Sequence, residues 1–103
     1  MPGIKYLMIA AIEGCIDVAQ HVCSAEKWGP PRDNGDAMRI LGERTVLTRS
    51  TADALRRAVG FRNVLLHEYV EVDDGIVLAR LATLDELDLF VVEAGTWLTD
   101  QAG

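Results

Sequence analysis

Apolar residues recur at helical intervals along most of this chain. Ile4, Met8, Ala11, Cys15, Val18 and Val22 follow spacings of four and three, and Ile12, Ile16, Ala19 and Cys23 form a second row beside them. The pattern predicts one helix over 4–27, polar only along a narrow stripe of Glu13, Asp17, Gln20 and Ser24. A helix that is apolar around most of its girth belongs at the centre of a bundle or in an interface. The stretch "WGPPRDNGD", residues 28–36, stops it, because a glycine and two prolines cannot continue a helix and Asp-Asn-Gly favours a turn. A short helix follows over 37–41, ending at Gly42. Ser50 is then a good N-cap, with Asp53 three residues on, for a helix running through "TADALRRAVGFRNVLLHEY". Its inward stripe is Ala54, Ala58, Phe61 and Leu65, and Arg56, Arg57, Asn63 and His67 face the other way. Gly60 weakens this helix by about 1 kcal/mol relative to alanine, which suggests close approach of another backbone. "VEVDDG" forms a hinge, and a last helix covers 74–98, with Val77, Leu81, Leu84, Val91, Ala94 and Leu98 inward and a kink where Thr83 and Glu86 offer a local cap. No repeat and no alternation of period two interrupts this reading. The expected fold is all-α, a bundle of up-and-down neighbours in one domain spanning 1–103.

Composition narrows the picture. Half the residues are hydrophobic and only 6% aromatic, so the core is expected to be built from Leu, Val, Ile and Ala. No uninterrupted apolar run reaches the roughly 18 residues of a membrane span. The opening "MPGIKYLMIAAIEG" reads as the start of an amphipathic helix and not as a signal peptide. The expectation is therefore a cytoplasmic protein with no membrane association. Cys15 and Cys23 lie eight residues apart on one helix, about 12 Å along its axis, too far for a disulfide. His21 between them does not converge with them on a metal, and buried free thiols are the expectation.

The formal net charge is −6, which argues against a surface coated for nucleic acid, but its distribution is uneven. Residues 39–62 carry six arginines (39, 44, 49, 56, 57 and 62) against Glu43 and Asp53, whereas residues 63–103 carry only Arg80 against nine acids. The arginine block runs into "GFRNVLLHEYVEVDD", residues 60–74, where an arginine, an asparagine, a histidine and a tyrosine fall within eight residues. On one helix Asn63 and His67 are neighbours, four apart, so the amide could hold the imidazole in one tautomer. Arg62 and His67, five apart, flank a face about 140° around the axis and do not touch. They could meet on one phosphate only if the helix frays near Tyr69 or if two subunits bring two copies together. The pair suits RNA cleavage without a metal or cofactor. A guanidinium presents a planar fork to phosphate, and an imidazole can take or give a proton near neutral pH. No Asp/Glu/His cluster with metal-ligand spacing is present.

"RNVLLHEY" resembles the signature of the HEPN superfamily, an arginine and a polar residue separated by a short spacer from a histidine. The tyrosine two places beyond the histidine matches the R-x-x-x-x-H-x-Y motif of its HepT-like branch. "IEGCIDVAQHV" and "PPRDNGDAMRILGE" are similar to that branch's long helix and the segment after it, so the resemblance covers nearly the whole chain. It implies a HEPN-like helical bundle, usually with a further long helix ahead of the one that opens this sequence. It also implies a toxin of a toxin–antitoxin pair: a metal-independent ribonuclease acting as a homodimer on transfer or messenger RNA. The implied partner is an MntA-like nucleotidyltransferase antitoxin that silences the toxin by AMPylation. Carried onto this sequence, Arg62 and His67 are the catalytic pair, Asn63 the polar helper and Tyr69 the modification target. Arg56 and Arg57 beside them are the expected RNA-binding residues. The competing expectation is a non-catalytic HEPN module that binds a nucleotidyltransferase.

Overall fold

A computed structural model describes residues 3–102; Met1, Pro2 and Gly103, which include the first two residues of the opening segment read above, lie outside the described residues. Five helices follow in order: α1 (Ile4–Ala25), α2 (Asn34–Glu43), α3 (Arg49–His67), α4 (Asp74–Leu78) and α5 (Ala82–Ala102). The class is all-α, as the periodicity predicts. α1 touches each of the other four helices and carries Met8, Ile9, Ile12, Cys15, Ile16, Ala19, Val22 and Cys23 into the shared core. By length and composition α1 could also cross a membrane, although no single run in it is uninterrupted. Here its apolar side is packed against protein. Ala11 and Val18, expected inside, are exposed, so the buried arc is narrower than its apolar girth.

Local chemistry sets the ends of these helices. α1 and α2 both close in a Schellman motif, in which two amides past the helix bond back to its last-turn carbonyls. At α1, Trp28 N–H donates to Cys23 C=O (3.0 Å) and Lys27 N–H to Ser24 C=O (3.2 Å). At α2, Val46 N–H donates to Leu41 C=O (2.9 Å) and Thr45 N–H to Gly42 C=O (3.2 Å). The motif needs a left-handed residue, supplied by Lys27 (φ 57°) and Thr45 (φ 60°). Neither is glycine, so each position carries backbone strain of about 1–3 kcal/mol. The second motif turns the chain between α2 and α3, which pack closely. A Cβ placed on Gly42 would lie 2.7 Å from Ala52 Cβ, so glycine is required there for the helices to approach. Gly60 does not have that role: an added Cβ would meet nothing within 4 Å in this chain.

Several expected boundaries move. α2 is longer than the short helix expected over 37–41, because the Asp33 carboxylate accepts from Asp36 N–H (2.7 Å) and caps it from Asn34. α3 is capped by Thr48, two residues before Ser50. The Thr48 hydroxyl accepts from Thr51 N–H (3.2 Å), while Thr48 N–H and the Thr51 hydroxyl both donate to Glu93 on α5 (2.7 Å each). A carboxylate more than forty residues away thus completes the cap. The last helix is divided, with a break at residues 79–81 in place of a kink at Thr83. The inner face of α5 is therefore Thr83, Leu87, Phe90 and Ala94 with Trp97 half-buried, and Leu81, Leu84, Val91 and Leu98 are exposed. Trp97 meets Trp28 edge to face, with ring centroids 5.9 Å apart.

Both cysteines are free and buried. Burial pushes the Cys15 thiol up to about 11 and also raises Cys23, to which the charge of Asp36 adds. Asp36 itself is buried at the start of α2. It accepts from Arg39 Nε (2.7 Å), the Arg32 backbone N–H (2.9 Å) and Arg32 Nη2 (3.3 Å), and the Arg39 bond is the largest of the effects that hold its carboxyl well below the usual carboxylate range. A carboxyl whose pKa falls on folding stabilises the fold above its unfolded value, near 3.9, and that contribution fades as pH drops toward the folded value. Asp36→Asn is expected to lower the midpoint of thermal unfolding at pH 7, with the gap from the unsubstituted chain shrinking between about pH 4 and pH 2; melts followed by circular dichroism across that range check it.

Candidate active site

α3 carries the polar motif at its C-terminal end, and its amphipathic pattern decides how each side chain is presented. Phe61 and Leu65 are buried, which leaves Arg62 at the edge of the packed face and Asn63 and His67 outside it. Arg62 lies toward α1, with its side chain only 20% exposed. Its Nη2 pairs with Glu13 Oε1 on α1 at 3.4 Å, its Nη1 donates to Asn63 Oδ1 at 3.0 Å, and its Nε is buried with no hydrogen-bond partner among the described residues. Asn63 therefore orients the guanidinium. Among the described residues no hydrogen bond joins it to His67, contrary to the four-residue neighbour reading.

His67 is the last residue of α3 and is exposed; Glu68 caps the helix with φ −124° and ψ 34°. Tyr69, expected inside the helix, thus lies beyond it, in the turn that leads to α4. The reason is local: Val72 N–H and Glu71 N–H both bond back to Glu68 C=O (3.0 Å each), which folds the chain into a tight turn after His67. α1 holds this turn as well. Lys5 Nζ donates to Tyr69 C=O (2.7 Å) and stands 4.9 Å from the centre of the tyrosine ring, a cation–π contact. The Tyr69 side of this contact stays open, with the residue 43% exposed.

Arg56 and Arg57 are exposed on the outer side of α3. With Arg32, Asp33, Asp53, Gly60 and Asn63 they line an open groove of about 660 Å³ between the start of α2 and α3. The lining is of mixed sign, because three aspartates accompany the three arginines, and Arg57 Nη2 lies 3.6 Å from Glu86 on α5. The groove reaches Asn63 and so joins the RNA-binding candidates to the motif. Among the described residues no group of three His, Cys, Asp or Glu side chains is gathered to hold a metal.

The structure thus brings Arg62, Asn63 and Glu13 together, puts Tyr69 beside Lys5, and leaves His67 apart on the exposed end of the helix. Sequence reasoning missed Glu13 and Lys5. The signal for Glu13 was its place in the polar stripe of an otherwise apolar helix; Lys5, alone near the start, gave none.

Comparison with known proteins identifies the family and the fold. The family model for "Ribonuclease HepT-like" matches residues 3–94. The chain is 33% identical over 66 residues to the mRNA nuclease HepT of Shewanella oneidensis, covering 64% of this chain and 50% of that protein. It is 30% identical over 87 residues to the tRNA nuclease HepT of Aphanizomenon flos-aquae, covering 84% and 59% respectively. The chain thus spans about half to three fifths of these curated relatives. Among solved structures it is similar to a toxin–antitoxin complex with AMP-PNP (TM-score 0.77, 24% identity, 88% of this chain and 70% of that one). It is also similar to the tri-AMPylated HEPN toxin of Shewanella oneidensis in complex with its MNT antitoxin (TM-score 0.71, 26% identity, 89% and 68%). With the R-x-x-x-x-H-x-Y motif at the end of α3 and a family match over nearly its whole length, the chain belongs to the ribonuclease HepT-like family.

Proposed function

We propose that this protein is the toxin of a toxin–antitoxin pair, a metal-independent endoribonuclease that works in the cytoplasm as a homodimer and is silenced by AMP transfer to Tyr69. The family match over residues 3–94 carries the reading, and the nuclease names of its relatives support the reaction class. In the reaction, His67 takes the proton of a ribose 2′-hydroxyl, and that oxygen attacks the adjacent phosphorus. The bond from phosphorus to the 5′-oxygen breaks, and that oxygen takes a proton back from the protonated His67, giving a 2′,3′-cyclic phosphate and a 5′-hydroxyl. Arg62 stabilises the charge that builds on the phosphoryl oxygens, as a guanidinium fork is suited to do. Arg56 and Arg57 hold the flanking backbone, a role supported by their exposure along the groove that reaches Asn63.

The homodimer reading is supported by the same geometry. Within one chain Arg62 lies against α1 while His67 stands exposed at the helix end, so a second copy supplies the facing groups of a shared cleft. Uncovered apolar residues offer surface for it: Leu84, Leu89, Val91, Val92 and Leu98 on α5, and Leu7 and Val18 on α1. The partner is a nucleotidyltransferase of the MntA kind, a reading supported by the MNT antitoxin bound to the similar Shewanella toxin.

His67→Ala is expected to lower the rate of RNA cleavage about 10²–10⁴-fold, the usual worth of a positioned acid or base, with little change in thermal stability because the side chain is exposed. Gel analysis of a labelled RNA checks this, and cleavage at the unsubstituted rate would remove His67 from the mechanism. For regulation, the intact mass of the chain after co-expression with its transferase should rise by whole adenylyl units. Tyr69→Phe should remove that gain and leave a nuclease that the transferase no longer silences. An AMP on this exposed tyrosine brings a phosphate and a base to the cleft, where it competes with RNA for the arginines.

A further inference from the structure

The polar stripe of α1 holds three candidate partners for the rest of the molecule, Glu13, Asp17 and Gln20, and two of them are engaged. Gln20 Nε2 donates to Asn34 Oδ1 at the start of α2 (3.1 Å), and Glu13 pairs with Arg62. Asp17, one turn from Glu13 on the same helix, is exposed and forms no ion pair among the described residues. An arginine on the outer edge of α3 would ordinarily extend into water. Arg62 is instead held down, with its Nε buried and unpaired. Burying an N–H of a charged group without an acceptor is unfavourable, so other contacts must keep the guanidinium there. Two are present: Asn63 Oδ1 on Nη1, from the same helix, and Glu13 Oε1 on Nη2, from α1. Asn63 alone would let the group swing with its own side chain. Glu13 is anchored on the helix that carries the core, and it fixes the guanidinium relative to that core.

From this we infer that Glu13 is a positioning residue for Arg62: its charge holds the guanidinium against α1 before RNA arrives, leaving N–H groups of both Nη atoms for phosphoryl oxygens. The inference rests on the reading that Arg62 stabilises phosphate charge. Its physical content is preorganisation, since a catalytic group already in place loses no freedom as the transition state forms. A carboxylate this close could instead compete with phosphate for the arginine, and removing it would then speed the reaction. The 44% exposure of Glu13 favours positioning, because water screens its repulsion of a phosphate lying farther out more than its contact with Arg62.

Two measurements on the full chain test this. The first is solvent exchange of the Arg62 Nε–H, followed by ¹⁵N side-chain NMR and assigned with Arg62→Lys. Glu13→Gln should speed that exchange at least about tenfold, and Glu13→Asp should restore part of the protection; unchanged exchange in Glu13→Gln would overturn the inference. The second is cleavage kinetics in the unsubstituted and Arg62→Lys backgrounds. Glu13→Gln should lower kcat about tenfold with KM nearly unchanged, and should have no further effect once Arg62 is lysine. An equal loss in both backgrounds would mark Glu13 as merely structural, and a higher kcat would mark it as a competitor; either contradicts positioning. If Arg62→Lys cleaves like the unsubstituted chain, the reading that Arg62 stabilises phosphate charge fails, and if the unsubstituted chain does not cleave RNA the ribonuclease reading fails; in either case the NMR measurement alone then decides whether Glu13 holds the guanidinium.

Discussion

The burial of one side of α1 against four other helices is the contact on which the rest of the molecule depends. Ile12, Ala19 and Cys23 are wholly inaccessible, and Met8 and Val22 nearly so. Each large apolar side chain buried is worth roughly 1.5–3 kcal/mol, so losing even one of these contacts would remove a sizeable part of a net stability that in a domain of this size is about 5–15 kcal/mol. α2 and α3 add a tight pair of their own at Gly42 and Ala52. α4 and α5, separated by a turn, reach the core through Val77, Leu87, Phe90 and Ala94.

The same helix organises the polar end of the molecule. Glu13 reaches Arg62, and Lys5, two turns earlier, reaches the turn that holds Tyr69. Lys5 and Glu13 are eight residues apart, about 12 Å along the axis, so α1 spans the distance between the arginine and the tyrosine of the motif. The charges are opposite and each meets its complement. An acid meets the guanidinium, and an ammonium meets a carbonyl and the face of an aromatic ring. His67 takes no part in this arrangement. It remains at the exposed end of α3, open to solvent.

Much of this was legible in the sequence. The spacing of Ala54, Ala58, Phe61 and Leu65 identified the inward face of α3, and with it the outward placement of Arg56, Arg57, Asn63 and His67. The face of α5 was misjudged for a physical reason. Counting in threes and fours from Val77 leads to Leu81, Leu84, Val91 and Leu98, but the turn at 79–81 resets the helical phase and buries Leu87 and Phe90 in their place. The cap of α3 was missed because its carboxylate, Glu93, comes from another helix. Asn63 was assigned to His67 by spacing alone, whereas the nearer charged donor, Arg62, takes its oxygen. A bond between distant residues leaves no local periodicity, so Glu13 and Lys5 came into view only with the fold.

In the proposed reaction the arginine and histidine at the end of α3 cut RNA by attack of its own 2′-hydroxyl. The chemistry of the new ends tests it most directly. Mass analysis of the fragments formed from a defined RNA in the presence of a chelator should find a 2′,3′-cyclic phosphate on one side of each cut and a 5′-hydroxyl on the other. Fragments ending in a 3′-hydroxyl and a 5′-phosphate, or cleavage that stops when metal is withdrawn, would contradict the account.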